Sequence, residues 1–213
     1  MITRRDFSLA TAVAALGAGT AAQGQAAAPV EGRDFVRLNT PAPVPAGAKI
    51  DVIEFFWYGC GHCHEFEPAL ETWVKKLPAD VAFRRVPAIF NAVWETHAKL
   101  FYALQALGQL EALHRRIFAA IHVQRQRLDK EAEILAFVSA NGVDAAAFAE
   151  AFKSFGVATK LRQSKQLAEA YKIDGVPALG VHGKWFTAGS LAGSNARALT
   201  VAEFLIERAR KGG

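Results

Sequence analysis

The chain has 213 residues, 25 basic and 20 acidic side chains, and a net charge of +5. The length suits one domain, or one domain carrying an insertion, and the small positive excess serves solubility without the dense stripe that nucleic-acid binding requires. The densest basic stretch, His114-Arg115-Arg116 to Arg125-Gln126-Arg127, alternates with apolar residues at helical spacing, so it reads as the solvated face of an amphipathic helix.

In chain order the first element is a leader. Arg4-Arg5 precede a mildly apolar run from Leu9 to Ala22, and Gly24-Gln25-Ala26 offers a small-x-small cleavage site, so residues 1–26 read as an export signal. Thr3-Arg4-Arg5-Asp6-Phe7-Ser8-Leu9 also resembles the twin-arginine type of address. The run is too short, and too rich in Ala, Gly and Thr, to cover a hydrocarbon core of roughly 20 apolar residues. Cleavage would remove Arg4, Arg5 and Asp6 and lower the charge of +5 by one.

A β-branched and aromatic run over 49–56 predicts a buried strand ending at Tyr58-Gly59. From Gly61 the period becomes 3.6, with Phe66, Leu70, Trp73, Val74 and Leu77 on one stripe and Pro68 expected to kink the helix. A second strand is predicted over 81–86. Helices are predicted over 92–107, 109–123, 130–140, 144–155 and 157–171, with Gly108 and Asn141-Gly142 as stop signals. Strand pattern returns at 177–182, His182-Gly183-Lys184 turns into Trp185-Phe186-Thr187, and a helix over 196–210 ends the chain. This order is α/β with a central sheet. Segments 27–90 and 157–213 form the sheet domain, and 91–156 a helical insertion.

The sequence has only two cysteines, Cys60 and Cys63, three positions apart where a strand hands over to a helix. A stabilising disulfide gains by closing a long loop, and this loop is minimal, so the pair reads as reactive. A cysteine in the first turn of a helix meets the unpaired backbone N–H groups, which favour thiolate. Cys60 therefore reads as the attacking thiol and Cys63, buried by the apolar stripe, as the resolving one. His62 between them can add a hydrogen bond or a positive charge. A stabilised thiolate makes the disulfide form an oxidant.

The stretch Phe55-Phe56-Trp57-Tyr58-Gly59-Cys60-Gly61-His62-Cys63-His64-Glu65-Phe66-Glu67 resembles the active-site segment of the DsbA family of bacterial periplasmic disulfide oxidases. The resemblance implies a thioredoxin-like fold interrupted by a helical domain, a periplasmic location, and a redox-active disulfide with no further cofactor and no metal. It also implies that Gly175-Val176-Pro177 is a cis-proline loop that faces the pair, with Val176 and Pro177 holding substrate backbone. Glu54, Glu67 and Arg84 would be buried charges that tune the pair or accept its protons. The implied partners are unfolded exported polypeptides with free cysteines, and the quinone-linked membrane oxidase DsbB. One departure stands out: Gly61-His62 replaces the family's usual Pro-His and resembles the centre of protein disulfide isomerase.

Two other readings of these residues stand beside that one. Cys60-x-x-Cys63-His64 also fits haem c attachment, with the distal ligand left to His97, His114, His122 or His182 because Met1 is the only methionine; a zinc site has too few thiols. A reductase or isomerase on the same fold would, if dimeric, need an N-terminal dimerisation domain. Only residues 27–49 precede the first strand, so a monomer is expected.

Overall fold

The computed structural model describes residues 28–47 and 49–212, so the leader read over 1–26 lies outside the described residues. A five-stranded sheet is ordered β1 (Val36–Arg37), β5 (Trp185–Ala188), β4 (Ala178–Val181), β2 (Ile50–Phe56), β3 (Val81–Pro87). Only β2 and β3 run parallel; the other pairs are antiparallel. All seven residues of β2 are buried, because the strand is central and covered on both faces. The crossover between the parallel pair is α1 (Gly61–Val74), whose buried residues Cys63, Phe66, Glu67, Leu70 and Trp73 follow the predicted stripe. The helix runs through Pro68, whose carbonyl accepts from Thr72 Oγ1 at 2.8 Å.

Between β3 and β4 the chain is helical: α2 (Ala92–Ala106), α3 (Leu110–His122), α4 (Glu131–Ala140), α5 (Ala145–Lys153) and α6 (Phe155–Ala170). The predicted helix over 144–155 ends two residues early because Ser154 is extended (φ −68°, ψ 153°). Its hydroxyl caps α6 by accepting from Val157 N–H at 3.2 Å. Helix α6 spans two cores: Val157 and Leu161 pack with the insert's apolar residues, whereas Ala168 packs with Ile53, Phe55 and Tyr171 on the sheet. A short α7 (Gly189–Ala192) leads into α8 (Asn195–Arg210), capped by the Ser194 hydroxyl accepting from Arg197 N–H at 3.1 Å. The insert core also holds Phe56, Tyr58 and Cys63, so the end of β2 and the start of α1 lie where sheet and insert meet. Among the described residues no helix is long and apolar enough to cross a membrane.

Candidate active site

At the end of β2, Cys60 N–H donates to the Trp57 carbonyl at 3.0 Å and closes a tight turn. Cys60 is the N-cap of α1 (φ −86°, ψ 116°), and its sulfur accepts the Cys63 N–H at 3.3 Å. The sulfur thus occupies the place of an N-cap oxygen, facing donors that a helix start leaves unpaired. Both cysteines are free thiols, Cys60 half-buried and Cys63 buried. Their acidities diverge. The hydrogen bond from the Cys63 thiol, then the Cys63 and His62 backbone N–H groups and last the His62 charge, pull Cys60 down to about 6 against its partial burial. Cys63 is pushed far up, first by burial and then by its bond to Cys60 and the charges of Cys60 and Glu54.

The structure brings Val176 and Pro177 to this pair. The Cys60 thiol donates to the Val176 carbonyl at 3.5 Å, and the Val176–Pro177 bond is cis. A groove of about 710 Å³ runs from His62 past Asp174, Val176 and Pro177 to Phe186 and Leu191. His62 itself points outward: its side chain is 82% exposed, with Nδ1 3.3 Å from Glu65 Oε2.

Beneath Cys63 lies a buried charge cluster. Glu54 is fully buried, and burial first, then the Glu67 charge, hold its carboxyl well above the ordinary range. Arg85 Nε donates to Glu54 Oε2 at 3.0 Å, and its Nη2 donates to Glu67. Burial alone would raise Glu67 as well, but the hydrogen bond and charge of His114, with Arg85, outweigh it and hold that carboxyl below its usual value.

Arg84 takes no part in this cluster, a correction to the sequence reading. It grips Asp51 with Nε at 2.8 Å and Nη2 at 2.9 Å. Successive residues of a strand face opposite sides, so Arg84 and Arg85 cannot both look toward α1; Arg85 stands directly across from Glu54 in the β2–β3 register and holds the cation's place in the cluster.

Sequence reasoning also missed two histidines on α3. His114, placed there on a solvated face, is buried, with Nδ1 2.8 Å from the Tyr58 hydroxyl and Nε2 3.3 Å from Glu67 Oε1. His122 reaches the Tyr58 carbonyl at 2.8 Å. The signal was present: 114, 118 and 122 recur every four residues, the spacing of one helix face. Trp57, before the motif, is half-buried and stacks on Trp94 at 4.3 Å. A haem joined through thioethers needs both sulfurs at one accessible surface, and Cys63 has none. Among the described residues no three His, Cys, Asp or Glu side chains gather to hold a metal ion.

An acidic, accessible N-cap thiol paired with a buried, non-acidic one, on a thioredoxin-like sheet and beside a cis-proline loop, defines a thiol–disulfide exchange protein. The model of the DSBA-like thioredoxin domain matches residues 51–197. The thiol:disulfide interchange protein DsbA of Azotobacter vinelandii is 44% identical over 194 residues, covering 90% of each chain. That of Burkholderia cepacia is 43% identical over 202 residues, 94% of this chain and 95% of the relative. The crystal structure of Pseudomonas aeruginosa DsbA aligns with a TM-score of 0.83 at 38% identity, covering 86% of this chain and 96% of that one. The chain belongs to the DSBA-like thioredoxin family and is a thiol:disulfide oxidoreductase.

Proposed function

We propose that this chain is a periplasmic oxidase that donates the Cys60–Cys63 disulfide to newly exported polypeptides. The observation that carries the reading is the split between the two thiols, Cys60 drawn down to about 6 and Cys63 driven up. A substrate thiolate attacks Cys60 Sγ, the Cys60–Cys63 bond breaks, and Cys63 leaves with the electron pair. Cys63 is buried and strongly basic, so it takes up a proton, and the neutral-leaning Glu54 carboxyl is the nearby group suited to supply it. The substrate's second thiolate then attacks its own sulfur in the mixed disulfide and expels Cys60 as a stable thiolate. Substrate ends oxidised by two electrons and the Cys60/Cys63 pair reduced by two. The second step is favoured by the acidity of Cys60, because a stable thiolate is the better leaving group, and the same stability draws the whole exchange toward the reduced pair.

Val176 and Pro177 hold the substrate backbone along the groove, and Glu67 with Arg85 sets the charge around Glu54. The dithiol is returned to the disulfide by a membrane quinone-linked oxidase of the DsbB kind, and the protein works as a monomer. Export is supported by the leader read over residues 1–26, and a disulfide donor stays charged in an oxidising compartment. Gly61-His62 favours a second reading, an isomerase with a less oxidising pair. Two measurements test the proposal. An oxidase equilibrates with glutathione at a potential above that of the glutathione pool, and Cys63→Ala accumulates mixed disulfides at Cys60 that Cys60→Ala cannot form. A potential about 60 mV lower than that of a DsbA-type oxidase, with efficient scrambling of wrong disulfides, supports the isomerase instead.

A further inference from the structure

Helix α3 belongs to the insert, yet one of its faces touches the redox segment on both sides of the cysteines. His114, Phe118 and His122 follow each other every four residues and so form one strip. Tyr58, two residues before Cys60, is held at both ends: its hydroxyl by His114 Nδ1 at 2.8 Å, and its carbonyl by His122 Nε2 at 2.8 Å. A carbonyl only accepts, so His122 Nε2 carries a proton and donates it. Phe118 meets the Tyr58 ring edge-on at 5.1 Å. On the far side of the pair, the His64 ring, next after Cys63, stacks on His122 at 4.9 Å and 7° and lies 5.8 Å from Phe118.

Tyr58 is the second residue of the turn that Cys60 closes by donating to the Trp57 carbonyl. Its carbonyl belongs to the Tyr58–Gly59 peptide, and the orientation of that peptide decides where Cys60 sits at the helix start. Gly59 brings no side chain to hold the turn from within; a Cβ there would come within 2.3 Å of Trp57. The grip on this peptide therefore comes from the insert. We propose that the α3 strip His114–Phe118–His122 positions the redox pair, with His122 orienting the Tyr58–Gly59 peptide so that the Cys60 sulfur stays over the first N–H groups of α1. His114 supports the same residue from below, with Nδ1 at the Tyr58 hydroxyl and Nε2 facing Glu67. These are positioning residues, since none lines the groove beside Val176 and Pro177. The inference rests on Cys60 being the acidic, attacking thiol.

The test is the pH profile of Cys60 alkylation, with the glutathione equilibrium measured alongside, in wild type, His122→Phe, His122→Gln and Tyr58→Phe. Phenylalanine keeps a ring to stack on His64 and loses the donor; glutamine keeps an N–H donor. His122→Phe should raise the alkylation midpoint by roughly half to one unit, making the pair about three- to tenfold less oxidising against glutathione. His122→Gln should recover most of that change. Tyr58→Phe deletes one hydroxyl from a packed ring and should shift the midpoint in the same direction by less. A purely structural strip would lower melting temperatures and leave midpoint and equilibrium unmoved, which overturns the inference. Equal shifts in His122→Phe and His122→Gln overturn it too, because the donor would then be irrelevant. A wild-type midpoint near the ordinary thiol value removes the reading of Cys60 itself, and the inference with it.

Discussion

The upper and lower faces of the first turn of α1 carry the same residue type three positions apart and treat it in opposite ways. Above, Cys60 is half-exposed, accepts a backbone N–H and is drawn down to about 6. Below, Cys63 is buried over Glu54, Glu67 and Arg85 and is pushed up. Acidity here is set by which side of the turn the sulfur occupies. The upper face offers dipoles already in place and water to finish the solvation. The lower face offers neither, and it holds a carboxyl that is itself reluctant to ionise.

The strongest way to break the contrast is to disturb the lower face. Arg85 is 14% exposed at its side chain and is the cation between Glu54 and Glu67. Arg85→Met leaves buried acid groups without their partner and should lower stability by about 3–5 kcal/mol in urea unfolding at neutral pH. Adding Glu67→Gln to that variant should restore part of the loss, because the uncompensated charge is then gone. A loss under about 1 kcal/mol, the range of exposed pairs, would mean that the cluster behaves as if solvated.

The next effect is the pH dependence of the reduced form. Cys60 has a depressed native value, so it contributes stability above the unfolded thiol value of about 8.5 and loses it as pH falls toward about 6. Cys63 has the opposite sign: raised in the fold, it withdraws stability as pH climbs past about 8.5. The stability of the dithiol relative to the disulfide form should therefore climb between pH 6 and 8.5 and turn over above. The unscreened span is about 3 kcal/mol, and solvent around the half-exposed sulfur leaves on the order of 1–2 kcal/mol. Closing so short a loop stabilises the disulfide form by about 2 kcal/mol, a comparable size, so the slope with pH is the diagnostic quantity. Melting temperatures of both forms across that range measure it, and a flat difference would refute the thiolate contribution.

Much of this was legible in the sequence, and the misses have physical causes. The two cysteines at a strand-to-helix handover stand out because so short a loop has little use as a staple. The stripe of Phe66, Leu70 and Trp73 has a strong period and is buried as read. Glu54 could be read as buried because Val52, Ile53, Phe55 and Phe56 on either side of it are apolar. Arg84 and Arg85 could not be told apart, since a strand's faces alternate and only the pairing of β3 with β2 says which residue looks toward α1. β1 has two residues and α7 four, too few for any period to show. His114 and His122 were hidden in a run with arginines, where a basic stretch looks like a wetted face; Arg115 and Arg116 do face water, whereas His114 is buried and His122 half-buried. A helix surface is read one residue at a time by its neighbours, and those neighbours come from another part of the chain.

The smallest effect concerns His62, and it separates fixed dipoles from a movable charge on the upper face. Its imidazole is 82% exposed and near Glu65, and its charge ranks last among the causes that lower Cys60, behind the Cys63 thiol and two backbone N–H groups. An exposed charge is screened within about 3 Å at 1 M salt, whereas a hydrogen bond to a capping sulfur is not. His62→Ala keeps the backbone donor and removes only the ring. It should raise the Cys60 alkylation midpoint by a few tenths of a unit, in keeping with exposed charge pairs of about 0.2–1 kcal/mol. Raising salt to 1 M should move the wild-type midpoint by a similar amount and leave the His62→Ala midpoint nearly still. A shift of a full unit or more on losing the ring, persisting in high salt, would mean that the histidine bonds the thiolate directly. The helix start would then be the lesser cause, and the upper face would owe its acidity to a side chain.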